Sequence, residues 1–228
     1  MRLPHSSFPN IPRRAPLHAP LTRVACIGDS ITYGHGLRDE SGDYSYPAVL
    51  ARLLGPAWLV RNFGVSGTTL LHRGDNPYIR TEAYTAALVF RPDVVVIKLG
   101  TNDSKQPRDG ASNAPDNWRH KADYAANYRA LIATFRATNP SVTIFTCLPV
   151  PAFPGDWGIN DTVLRDEVAP LVRDVAADTG ARLIDLYSVL AQHPRCFPDG
   201  VHPDAAGAAL IADTIFQQVR TAKREAVK

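Results

Sequence analysis

Four short segments carry side chains that could together perform acyl transfer: Gly28-Asp29-Ser30-Ile31, Asn62-Phe63-Gly64-Val65-Ser66-Gly67-Thr68, Gly100-Thr101-Asn102-Asp103 and Asp199-Gly200-Val201-His202-Pro203. A serine hydroxyl is a poor nucleophile until a neighbouring base accepts its proton, so Ser30 needs an imidazole within hydrogen-bond reach. His202 is the candidate base. Asp199, three residues earlier, is near enough on a turn to hold the imidazole in one tautomer and to stabilise the imidazolium as it forms. The tetrahedral intermediate of such a reaction also needs donors for its oxyanion. The backbone N–H groups of Ser30 and Gly67 and the side-chain amide of Asn102 could supply them.

These segments need a scaffold that brings them together. Thr22–Ile27 reads as a first strand that breaks at Gly28-Asp29-Ser30. Tyr46–Leu54 carries Val49, Leu50, Leu53 and Leu54 on one helical face and stops at Gly55-Pro56. Trp58–Phe63 is the second strand. A helix over about 81–90 and the strand Val94–Leu99 follow, then a helix over about 122–137 and the strand Val142–Cys147. A helix opened by Asp161 runs to Thr179 and precedes the strand Arg182–Asp185. The last long helix begins at Pro203, where the missing N–H costs nothing in a first turn.

Strands that alternate with helices and are too apolar to have a wet face imply a parallel sheet covered on both sides. The predicted class is α/β, a three-layer α/β/α sandwich on a central, parallel, flavodoxin-like sheet of five strands. In open sheets of this kind ligands bind beyond the carboxyl ends of the strands. Three of the four segments directly follow a strand, and the fourth sits just ahead of the last helix.

The order and content of the four segments resemble the four blocks of the SGNH (GDSL-like) hydrolase family, named for its Ser, Gly, Asn and His. The resemblance spans most of the chain. It implies Ser30 as nucleophile, Asp199 and His202 as the rest of the triad, and Ser30, Gly67 and Asn102 as oxyanion donors. More narrowly, Lys98–Lys105, Leu148–Phe153 and Phe197–Pro203 are similar to bacterial sialate or carbohydrate O-acetylesterases. That likeness implies an acyl ester or acetylated sugar as substrate. The region from Gln106 to Trp118 is longer than usual for the family, a loop that would rim the cleft.

Composition narrows the alternatives. The chain of 228 residues is long enough for one well-buried α/β domain, taken as 21–228 behind an irregular, proline-rich arm at 1–20. Its formal charge is +3, and its 25 Lys and Arg are scattered, so no basic face for nucleic acid is visible. No run approaches the roughly 18 apolar residues of a membrane-spanning helix. No apolar core of a signal peptide precedes Pro20, so the expectation is a cytoplasmic protein unless a leader has been removed. The three cysteines, Cys26, Cys147 and Cys196, read as free thiols, with a Cys147–Cys196 bridge as the alternative.

Several residues have plainer readings. His35, His72, His120 and His193 show no metal-ligand spacing, so neither a metal nor a cofactor is expected. Ser66 sits in a Gly-x-Ser-Gly turn that lacks the final glycine of a nucleophile elbow, and is read as structural. Asp29 and Asp103 are read as helix caps or loop ties. Trp118, Trp157, Phe153 and Tyr78 could form an acyl or sugar wall, but single aromatics more often pack, and they are left unassigned. Two other functions compete with a sugar acetylesterase: a lysophospholipase, thioesterase or arylesterase with a longer acyl cleft, and a non-catalytic carbohydrate- or nucleotide-binding module. Gly28–Gly34 fits neither a dinucleotide fingerprint nor a P-loop.

Overall fold

The computed structural model describes residues 21–39, 42–107, 115–155 and 157–225. The arm expected at 1–20 and the centre of the 106–118 loop lie outside the described residues.

The central sheet has five strands, all parallel: β1 (Thr22–Gly28), β2 (Trp58–Gly64), β3 (Val94–Lys98), β4 (Thr143–Cys147) and β5 (Arg182–Ile184), in the order β2-β1-β3-β4-β5. This is the expected flavodoxin-like order. The helices are α1 (Ser30–Tyr33), α2 (Tyr46–Leu54), α3 (Glu82–Val89), α4 (Tyr124–Thr138), α5 (Ala169–Thr179), α6 (Leu186–Leu190) and α7 (Ala205–Glu225). A two-stranded ribbon, Arg38–Asp39 with Gly42–Asp43, projects after α1.

The pleat sends alternate side chains to opposite faces, and both faces are apolar. Ala25 and Ile27 of β1 with Val95 and Ile97 of β3 pack under α4 and α5, against Tyr128, Ile132, Phe135 and Val172. Val24, Cys26, Val94 and Val96 face the other way, against Leu50 of α2 and Ile211 and Ile215 of α7. That is why these runs read as continuous apolar strands. Burying one such side chain fully stabilises the fold by about 1.5–3 kcal/mol.

Local chemistry moves several expected boundaries. The last helix starts at Ala205 rather than Pro203, because the Asp204 carboxylate accepts the Gly207 N–H at 2.8 Å and caps it. The fifth strand ends at Ile184, because Asp185 accepts the Ser188 N–H at 2.9 Å and opens α6. The helix expected from Asp161 to Thr179 contains a π segment, Leu164–Val168, ahead of α5. Asn160, not Asp161, caps its start through the Val163 N–H at 3.2 Å. Cys26, Cys147 and Cys196 are free, so the alternative of a bridge falls away.

Candidate active site

The pairing of β1 with both β2 and β3 lines up the carboxyl ends that matter. Gly28 lies opposite Gly64 on one side and Lys98 on the other. The sheet order reverses at β1, so the loops after β1, β2 and β3 diverge around one crevice.

Ser30 stands in the first position of α1, a helix of one turn. Asp29 caps it by accepting the Ile31 N–H at 3.0 Å, and Gly34 ends it at a φ of 89°, a left-handed conformation that glycine adopts without strain. The close approach of α1 to the sheet needs Gly64: a Cβ there would lie 2.2 Å from the Tyr33 amide nitrogen. Beneath α1 lies a fully buried ion pair. Lys98 Nζ sits 3.1 Å from both carboxylate oxygens of Asp29 and donates to Thr101 Oγ1 at 2.7 Å. The last residue of β3 and the first turn after it therefore hold the residue next to Ser30.

His202 is brought to Ser30 by the turn before α7. Its Nε2 lies 2.8 Å from Ser30 Oγ, and its Nδ1 lies 2.7 Å from Asp199 Oδ2. A carboxylate facing Nδ1 keeps the proton on that nitrogen, which leaves Nε2 as the acceptor for the serine hydroxyl. Asp199 is itself held by the turn, its Oδ1 accepting the His202 N–H at 2.7 Å and the Val201 N–H at 2.9 Å. Burial pushes the Asp199 carboxyl up, but these hydrogen bonds and the imidazole outweigh it and bring it down to about 2. Burial lowers the His202 pKa below its ordinary 6.5, against the upward pull of Asp199.

The expected oxyanion donors lie on the same cleft. Gly67, at a φ of 79°, and Asn102 both line it with Ser30 and His202. Asn102 Nδ2 donates one hydrogen to Thr68 O at 3.0 Å, and a primary amide has a second to offer. The Ser30 N–H, at the start of a helix, has no intrahelical partner. The donor loop is tied from below by Asp103, whose two carboxylate oxygens accept the Leu70 N–H at 3.0 Å and the Leu71 N–H at 2.7 Å. Burial pushes the Asp103 carboxyl up to about 7 in spite of those two bonds. Asp29 and Asp103 are thus the cap and the loop tie that their positions suggested.

The cleft holds about 260 Å³. Lys105, Ile159, Val201 and Trp157 complete its wall. Of the four aromatic residues left unassigned, Trp118 and Tyr78 are buried in the core and Phe153 packs on Phe197 at 5.2 Å. Trp157 is different. It is 47% exposed and stands edge-on to the His202 ring, centroids 4.8 Å apart. His35 also lies against His202, centroids 4.4 Å apart, which spacing rules for metal ligands had no means of finding. Ser66 lines the cleft beside Gly67. Among the described residues no helix is long and apolar enough to cross a membrane.

Comparison with known proteins identifies the family of the chain. An acetylxylan esterase from Xylanibacter ruminicola is 39% identical over 216 residues, which cover 87% of this chain and 43% of that protein. The cellulase/esterase CelE of Acetivibrio thermocellus is 24% identical over 223 residues, 88% of this chain and 26% of that protein. The chain thus spans less than half the length of these curated relatives. Among solved structures, Est24, a carbohydrate acetylesterase from Sinorhizobium meliloti, shares the fold with a TM-score of 0.65 at 19% identity, over 88% of this chain and 99% of that one. The profile of the GDSL-like Lipase/Acylhydrolase family matches residues 26–210, and the chain belongs to that family.

Proposed function

We propose that the protein is a serine esterase that removes short acyl groups, acetyl above all, from the hydroxyls of a carbohydrate. The observation that carries this reading is the continuous relay from Asp199 Oδ2 through His202 to Ser30 Oγ, with contacts of 2.7 and 2.8 Å, opening onto a small cleft. The acetylxylan esterase relative supports the sugar and the acetyl group.

In this mechanism Ser30 Oγ attacks the ester carbonyl while its proton passes to His202 Nε2. The Asp199 carboxylate stabilises the imidazolium and does not take the proton. The oxyanion of the tetrahedral intermediate accepts hydrogen bonds from the Ser30 and Gly67 N–H groups and from Asn102 Nδ2. Collapse breaks the bond to the sugar oxygen, which leaves with the proton from His202. Water then attacks the acyl-Ser30 ester, His202 taking and returning its proton, and the acid is released.

Acetate release from acetylated xylo-oligosaccharides and from p-nitrophenyl acetate, by the native protein and by Ser30→Ala, tests the reading. Release from the oligosaccharides that the variant loses is the expected result. Cleavage of the p-nitrophenyl ester alone would keep Ser30 as nucleophile and favour a lipid, thioester or aryl ester as substrate instead.

A further inference from the structure

The turn that presents Ser30 also presents a second imidazole. After α1 the chain folds back on its own nucleophile: the Ser30 carbonyl accepts the Gly34 N–H at 2.9 Å and the His35 N–H at 3.0 Å. Gly36 is also left-handed, at a φ of 71°, and Leu37 N–H closes the turn on Gly34 O at 3.1 Å. His35 is therefore fixed to the same backbone as the nucleophile. Its ring lies over that of His202, centroids 4.4 Å apart and planes tilted by 38°. Trp157 meets both rings edge-on, at 4.8 Å from His202 and 5.9 Å from His35. The pair of imidazoles separates the 260 Å³ cleft at Ser30 from a second cavity of about 520 Å³ beside Tyr44 and Pro203.

We propose that His35 is a positioning residue for His202: its ring holds the catalytic imidazole in the plane that aims Nε2 at Ser30 and disfavours the protonated form of that imidazole. The inference rests on the esterase reading above. An imidazole held only by Asp199 at Nδ1 can still swing about that bond, and misplacement by about 1 Å costs roughly a hundredfold in rate. A ring packed on its face removes that freedom. Two imidazoles this close resist carrying a proton each, so a charge on one ring opposes a charge on the other. The charged groups that face His202 are Asp199 and, more distantly, Asp29, which favour the imidazolium, and His35, which opposes it. Among the described residues, Lys105, Asp204 and Tyr44 are the other titratable groups on the walls of the two cavities.

His35→Phe keeps a flat ring on His202 and removes the second ionisable ring, whereas His35→Ala removes the ring altogether. Two readouts apply: the pH profile of kcat/KM for p-nitrophenyl acetate, and NMR titration of the His202 imidazole, which needs no turnover. The expected result is a His202 midpoint and an acid limb moved to higher pH in His35→Phe, with a plateau kcat roughly tenfold or more above that of His35→Ala. A His202 midpoint equal to that of the native protein in His35→Phe overturns the proposal, whatever happens to the plateau, because a contact that only packs would leave it unmoved. A moved midpoint in a protein without Ser30-dependent ester cleavage would sustain the coupling and overturn the esterase reading alone.

Discussion

Lys98 and Asp29, the residue before Ser30 in the chain, form an ion pair with both side chains 0% exposed. Burial lowers the Lys98 pKa, and Asp29, within 3.1 Å through both oxygens, pulls against that shift. Desolvating two charges costs several kcal/mol per ion, so the pair contributes little net stability. Removing one partner leaves the other charge alone in the core. Lys98→Met is therefore expected to lower unfolding free energy by about 3–5 kcal/mol. Urea denaturation measures it, and the double variant Lys98→Met, Asp29→Asn should recover part of the loss. A single variant within about 0.5 kcal/mol of the native protein would mean the pair is not structural.

Asp103 links the Asn102 turn to the loop that contains Gly67. Both of its carboxylate oxygens accept backbone N–H groups, from Leu70 and Leu71. An amide in its place keeps one acceptor and turns an N–H₂ toward the other donor. Asp103→Asn should thus release one strand of the loop without touching the substrate. We expect kcat for acetyl esters to fall by roughly tenfold to a hundredfold with KM little changed. Asn102→Ala, which removes a donor outright, should cost about a hundred- to a thousandfold in kcat. Equal losses in kcat and KM effects for the two variants would argue against a separate role for Asp103.

Much of this site is legible in the sequence because its parts sit where strands end. Glycine and small polar residues stop the apolar runs at Gly28, Gly64 and Gly100, and the sheet places three such ends side by side. Asp199 and His202 are legible because a carboxylate three residues before an imidazole needs only a turn to meet it. Other features depend on contacts between distant segments and leave no local signal. Val94–Leu99 reads as an apolar strand, and its buried Lys98 makes sense only when Asp29 arrives from β1. His35 gains meaning only when the turn before α7 lays His202 against it. The π segment at Leu164–Val168 interrupts a run whose helical periodicity looks unbroken. The helix start at Ala205 turned on a competition between Pro203 and the capping carboxylate of Asp204, which spacing alone leaves open.

The proposed triad implies a pH dependence with a definite sign. Burial lowers the His202 pKa below 6.5, so the unprotonated base persists to lower pH than for a free imidazole. The kcat/KM for an acetyl ester should therefore fall on acidification with a midpoint below 6.5. Stability moves the same way. A group whose folded pKa is depressed contributes stability above its unfolded pKa and loses it as pH falls through the folded one. For His202 that window lies below 6.5, and for Asp199 it runs from 3.8 down to about 2. Asp199→Asn should lower kcat by roughly ten-thousandfold through the wrong tautomer and remove the lower window. Melting temperatures between pH 2 and pH 7 check the second point.

The size of the cleft sets the last expectation. At about 260 Å³ it lies under the roughly 300–1,000 Å³ of typical ligand sites, and much of it must take the carbonyl and the oxyanion donors. Ile159, Val201 and Trp157 wall the space that an acyl chain would enter beside Ser30. Each further methylene offers about 0.8 kcal/mol of burial only if there is room for it. Where there is none, overpacking costs about 1–3 kcal/mol. Across p-nitrophenyl acetate, butyrate and octanoate, kcat/KM should therefore fall as the chain lengthens, most steeply at octanoate. Of these three residues Trp157 is the most open to solvent, so truncating it opens the cleft without emptying the core. Trp157→Ala should raise the octanoate-to-acetate ratio by roughly tenfold, about 1.4 kcal/mol in relative transition-state binding. A ratio that rises with chain length in the native protein would place the acyl group elsewhere and favour a lipid or thioester substrate.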